Sequence, residues 1–113
     1  MVLEISTING TISITLVRRF DSDSAPGVDT ELKKIIEQHP ESVLFDFSRT
    51  EYIASAGLRV LLSTTRTLMK AGSKVALSSL SPQVRQVFEI AGFTKIFTIY
   101  GSRDEALQNL QKK

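Results

Sequence analysis

The sequence predicts an α/β domain: a mixed, mostly parallel β-sheet that opens with an N-terminal β-hairpin and is covered by about four α-helices. Three features point there. Strand-like and helical segments alternate along most of the chain, aliphatic residues rather than aromatics dominate the apolar set, and an Asn-Gly pair sits between two alternating runs near the start. Strands that alternate with helices are joined by crossovers into a largely parallel sheet. At 113 residues the chain has the length of one ordinary domain, so a single domain over 1–113 is expected.

Leu3 and Ile5, then Ile12, Ile14 and Leu16, alternate with polar residues on either side of Asn9-Gly10, a strong hairpin signal. The polar stretch from Asp21 to Gly27 supplies helix caps, and Val28, Leu32, Ile35 and Ile36 then recur at helical spacing up to Pro40. Val43 to Phe47 is apolar apart from Asp46, as in a strand covered on both faces. A turn-like stretch from Ser48 to Ser55 leads into the stripe Leu58, Leu61, Leu62, Thr65, Leu68 and Met69, which ends at Gly72. Val75 to Leu77 is a short strand. Ser81-Pro82 reads as an N-cap and first helical residue for the stripe Val84, Val87, Phe88 and Ala91, which Gly92 closes. Ile96 to Ile99 is expected as a last strand, and Ser102 with Glu105 forms a capping box for a helix that turns Ala106, Leu107 and Leu110 inward.

Composition removes several function classes. Apolar residues make up 42% and charged residues 23%, ordinary values for a packed domain rather than a disordered tail. Cysteine is absent, which excludes disulfides, thiolate metal sites and a cysteine nucleophile and agrees with a reducing compartment. No apolar run approaches the roughly 20 residues that cross a bilayer, and Met1 leads directly into strand-like sequence, so a cytoplasmic protein without a membrane role is expected. The net charge of +2 is too balanced to announce a nucleic-acid partner. The charge is unevenly distributed: from Asp21 to Glu51 eight acidic residues face three basic ones, whereas Arg59 to Lys95 holds six basic residues and only Glu89. Such a split suits either a solvated surface or a protein partner.

Catalytic chemistry finds little support. Ile53-Ala54-Ser55-Ala56-Gly57 places a serine between strand and helix as a nucleophile elbow does, but Ile53 stands where the elbow needs glycine. The one histidine, His39, ends the first helix far from the late position a triad base usually takes. One histidine and scattered carboxylates form no metal-ligand pattern; Asp21, Asp23 and Asp29 read as solvent-facing and helix-starting residues. The six glycines spell no phosphate-binding motif, so no cofactor is expected. Ser55 itself has two readings. As the N-cap of the second helix it satisfies an amide at Gly57 or Leu58, worth about 1 kcal/mol. As a modifiable hydroxyl it sits where a helix N-terminus tolerates a phosphate, with Ala54, Ala56 and Gly57 leaving it sterically open.

Phe45-Asp46-Phe47-Ser48, followed by Tyr52-Ile53-Ala54-Ser55-Ala56-Gly57-Leu58, resembles the signature of the STAS domain in bacterial anti-sigma factor antagonists. Ser55 matches the serine that a partner kinase phosphorylates in that family. Asp21 before the first helix and the late Ser81-Pro82 helix also fit the pattern, so the likeness covers nearly the whole chain. Ala54 stands where an acidic residue often precedes the serine, and Arg59 where a second glycine is common.

The resemblance implies a regulator rather than an enzyme. Unphosphorylated, such a protein binds an anti-sigma factor with a GHKL-type serine kinase fold and so frees the sigma factor; phosphorylation of Ser55 ends binding, and a PPM-type phosphatase restores it. It also implies a docking face made of Asp21 and Ser24, of Ala54, Ser55, Ala56 and Gly57, and of Arg59 one turn into the helix. Arg59 reads equally as a solvated side chain or as a partner for phosphate or carboxylate. Asp46 is expected to fix the turn after its strand. STAS-like domains also act as ligand-sensing or assembly modules of transport and signalling complexes without a phosphate switch, and Ala54 keeps that alternative open.

Overall fold

The computed structural model describes residues 3–111. Its main sheet has five strands in the order β1-β2-β4-β6-β7. β1 (Glu4–Ile8) and β2 (Thr11–Thr15) form the antiparallel hairpin, and Asn9 and Gly10 both take positive φ, at 48° and 85°, as a tight two-residue turn demands. β4 (Ser42–Asp46) lies parallel between β2 and β6 (Lys74–Ser78), and β7 (Ile99–Tyr100) adds to β6 in parallel.

Alternation along the central strand sorts two cores. Val43 and Phe45 point into the larger one, with Leu32 and Ile35 of α1 (Ala25–Glu37), Leu61 and Leu68 of α2 (Ser55–Lys70), and Val84 and Phe88 of α3 (Pro82–Ile90). Leu44 and Ala76 point the other way, against Ala106, Leu107 and Leu110 of α4 (Arg103–Leu110). Both faces of β4 are therefore buried, which explains its unbroken apolar run.

Helix ends follow their residues. α2 closes in a Schellman arrangement: Gly72 at φ 93° donates to Met69 O at 3.0 Å, and the Ser73 amide to Leu68 O at 2.9 Å. Ser81 Oγ and Ser102 Oγ accept from the amides of Val84 and Glu105, at 3.2 and 3.1 Å. The Glu105 carboxylate reaches back to the Gly101 amide rather than to Ser102, so the second box is only half closed.

Several expectations change. α1 begins at Ala25, three residues before Val28, because proline and glycine are tolerated in a first turn whose amides need no intrahelical partner. The last strand is Ile99–Tyr100, not Ile96–Ile99: Phe93–Lys95 forms a 3-10 turn, and the Phe97 amide bonds to Phe93 O. That turn folds the rings of Phe93 and Phe97 onto each other at 5.9 Å and sets Phe97 against Phe88 at 5.7 Å, leaving Ile96 exposed. Met69 and Ala91, placed in apolar stripes, are exposed, as is Ile5 on the edge strand. A second sheet also appears, formed by the parallel two-residue strands β3 (Arg19–Phe20) and β5 (Tyr52–Ile53). Two residues are too few to show a period.

Candidate functional site

The small β3-β5 sheet builds the site by joining the turn after β3 to the start of α2. Arg19 pairs with Tyr52 and Phe20 with Ile53, and the next amide, that of Ala54, donates to Phe20 O at 3.0 Å. Asp21 and Ala54 therefore leave the two strands side by side, each heading into a helix.

On one side, Asp21 organises the turn into α1. Its Oδ1 accepts from the amides of Asp23 at 3.0 Å and Ser24 at 3.2 Å, and Asp21 O accepts from the Ala25 amide at 2.8 Å. Ser24 Oγ donates to Arg19 O at 2.6 Å and accepts from the Asp21 amide at 3.1 Å, which ties the turn back to β3. The Ser24 amide is the main influence holding the Asp21 carboxyl below its ordinary range. Partial desolvation opposes it, and the Asp23 amide and the Arg19 charge add to it. Arg19 lies 3.6 Å from Asp21 Oδ2, and its guanidinium stacks 4.7 Å from the centre of the Tyr52 ring.

On the other side, Ala54, not Ser55, is the N-cap of α2. Ala54 has the extended conformation of a cap, φ −111° and ψ 175°, and its carbonyl accepts from the Leu58 amide at 3.0 Å. Ser55 is consequently the first helical residue, and no side chain caps the helix start. The expected bond from Ser55 to Gly57 or Leu58 is not made: the ladder bond from Ala54 to Phe20 fixes Ala54 as the last extended residue, and the Leu58 amide donates to the Ala54 carbonyl instead. Ser55 is exposed, and its neighbours Ala54 and Ala56 are half-buried.

Gly57 is buried rather than presented to solvent. A Cβ there would stand 2.5 Å from Phe20 O and 2.8 Å from its ring, so only glycine lets α2 approach β3 this closely. Arg59 is exposed one turn beyond Ser55. Asp46, 6% exposed, accepts from the Ser48 amide at 2.9 Å and so fixes the turn after β4. His39 is exposed, ending α1 at φ 50°. Sequence reasoning missed Phe20, and it missed Arg19 and Tyr52 as a stacked pair, because their roles come from a pairing that no local pattern encodes.

Residues 3–106 match the family model of the STAS domain. The chain belongs to the STAS domain family. BtrV of Bordetella bronchiseptica, named a "putative anti-sigma factor antagonist", is 36% identical over 94% of this chain and 91% of its own. The crystal structure of an anti-sigma factor antagonist from Mycobacterium paratuberculosis superposes with a TM-score of 0.91 at 22% identity, covering 98% of this chain and 94% of the other. SpoIIAA, solved in unphosphorylated and phosphorylated forms, superposes with TM-scores of 0.80 and 0.74, both at 20% identity. These cover 97% of this chain, and 96% and 100% of the SpoIIAA chains. The antagonists in this STAS group are regulatory rather than catalytic. Among the described residues no helix is long and apolar enough to cross a membrane.

Proposed function

We propose that this STAS domain is a cytoplasmic anti-sigma factor antagonist that works by partner switching. Its partner is an anti-sigma factor with a GHKL-type serine kinase fold. The unphosphorylated form docks on that partner through the turn at Asp21 and Ser24 and the start of α2, and the sigma factor is released. The kinase then transfers the γ-phosphoryl group of ATP to Ser55 Oγ. ADP departs, the hydroxyl proton passes to a base of the kinase, and the complex separates. A PPM-type phosphatase hydrolyses the phosphoserine and resets the switch.

The observation that carries this reading is the exposed Ser55 hydroxyl at the first position of a sixteen-residue helix, beside a turn already locked by its own hydrogen bonds. A phosphate adds about −1.5 to −2 charges at neutral pH, and the uncapped amides of α2 receive an anion without refolding. The same charge at a closed interface is opposed by desolvation and like-charge contact. A penalty of about 3 kcal/mol weakens binding roughly a hundredfold.

The test is incubation with the cognate kinase and ATP followed by intact-mass measurement, together with binding titrations. Wild type should gain one phosphate and Ser55→Ala none. Ser55→Ala should keep its affinity for the kinase, and Ser55→Asp should lose much of it. Absence of phosphate on wild type would favour a ligand-sensing or assembly module instead, and equal binding by both variants would overturn the electrostatic switch.

A further inference from the structure

The exposed side of α2 continues below Ser55 into a groove that shares only Arg59 with the face proposed for the switch. Arg59, Leu62, Arg66, Met69 and Lys70 line it from the helix, and Ile96, pushed outward by the 3-10 turn, closes it from the far side. Its volume is about 790 Å³. Leu62, Arg66, Met69 and Lys70 follow Arg59 by three, seven, ten and eleven residues, the spacing of one helical face. From Arg59 to Lys70 that face is about 16 Å long, roughly three turns of a facing helix.

Two properties meet in this groove. Met69 and Ile96 are 57% and 48% exposed, large apolar side chains standing in solvent. None of Arg59, Arg66 and Lys70 makes an ion pair among the described residues, whereas Arg18, Arg19, Lys33 and Arg49 are paired with Glu51, Asp21, Asp29 and Glu4. Among the described residues no acidic one lines the groove.

We infer that this groove is a docking site for an acidic amphipathic helix of a protein partner. Charge complementarity selects the sign of the occupant, and the apolar floor selects its class. An acidic helix offers carboxylates to the three cations and aliphatic side chains to Leu62, Met69 and Ile96 together. A nucleic-acid backbone would leave Met69 and Ile96 unmatched and would find no aromatic ring in the groove to stack a base.

The probe is a synthetic peptide with leucines at helical spacing and glutamates elsewhere, titrated into isotopically labelled protein and followed by amide chemical shifts. A scrambled peptide of identical composition and a single-stranded oligonucleotide are titrated in parallel. The ordered peptide should perturb Leu62, Arg66, Met69 and Ile96, and bind more tightly than either control. Arg66→Glu with Lys70→Glu should weaken it at least about tenfold. Met69→Ser, which leaves every charge in place, should weaken it about threefold. These substitutions are on exposed positions, so each variant should still fold cooperatively, the double charge reversal losing about 1 kcal/mol because Lys70 stands in the last turn of α2. Equal binding of the scrambled peptide, tighter binding of the oligonucleotide at this groove, no response to Met69→Ser, or no perturbation at all would each overturn the inference. Ser55→Ala should bind the peptide like wild type, so this outcome is read separately from that of the phosphate switch.

Discussion

The two ends of α2 are built in opposite ways. At its start, side chains and backbone are committed to one another: Arg19 to Tyr52 and Asp21, Asp21 to two amides, Ser24 to Arg19 O, Ala54 to Phe20 O. Further down, Arg66 and Lys70 carry no ion-pair partner among the described residues, and Met69 and Ile96 stand exposed. The difference teaches where geometry has been fixed inside the fold and where it has been left for another molecule to complete. A switch that responds to one added group needs surroundings that do not rearrange, whereas a docking groove keeps its unmatched charge and apolar area for the partner.

The contrast breaks most severely at Gly57. A methyl group there meets Phe20 O at 2.5 Å, and backbone cannot swing aside as a side-chain tip can. Overpacking of this kind costs up to about 3 kcal/mol, while the better helix propensity of alanine returns about 1 kcal/mol. Gly57→Ala should therefore lose about 2 kcal/mol in urea unfolding. By pushing β3 from α2 it should also weaken kinase binding more than it weakens binding of an acidic peptide to the lower groove. Equal loss at both surfaces would mean that the two ends of the helix are not separable.

Ala54 sharpens the comparison in the other direction. It holds a cap position without a capping side chain, so Ala54→Asp should stabilise the fold by about 1 kcal/mol by giving α2 its missing acceptor, read as a higher urea midpoint. The same carboxylate would occupy amides that otherwise face a phosphate on Ser55, so the phosphorylated variant should gain less stability from its phosphate than phosphorylated wild type does. An unchanged midpoint would show that the helix start is already satisfied.

These two positions also show what a sequence reading reaches. The main sheet, the four helices and the exposed serine follow from periodicity, from Asn9-Gly10, and from Ser81, Ser102 and Gly72, since each of those signals acts within a few residues. Local pattern puts Ser55 one position too far toward the cap, because Ala54 is fixed by a hydrogen bond to Phe20, thirty-four residues earlier. The role of Gly57 is hidden for the same reason: close approach between α2 and β3 is a property of two segments. The apolar neighbours of Ile96 read as a strand, but the Phe93 and Phe97 rings reach Phe88 only if the chain turns there.

Arg19 tests whether the upper site depends on its stacked pair. Arg19→Ala removes the contact with Tyr52 and the charge beside Asp21, at a cost of about 0.5–1 kcal/mol for an exposed pair. The Ser24 bond to the Arg19 carbonyl survives the substitution. Amide exchange of Ser24 and Ala25 should therefore stay slow while overall stability falls slightly; fast exchange there would make the side chain, not the backbone, the anchor of the turn.

The smallest effect belongs to Asp21 and pH. Its carboxyl is depressed in the folded protein relative to the ordinary value of 3.8, chiefly by the Ser24 amide, so the folded state favours the ionised form. Such a group contributes stability that is fully present above its unfolded pKa and is lost as pH falls through the lower folded one. As the pH falls below about 4 the wild type should consequently lose slightly more stability than Asp21→Asn, whose amide oxygen still accepts the Asp23 and Ser24 bonds but does not titrate. Urea unfolding of both proteins at neutral pH and across that acidic window measures the difference. Parallel pH slopes would mean that the turn is held by its backbone geometry, with no share for the carboxylate charge.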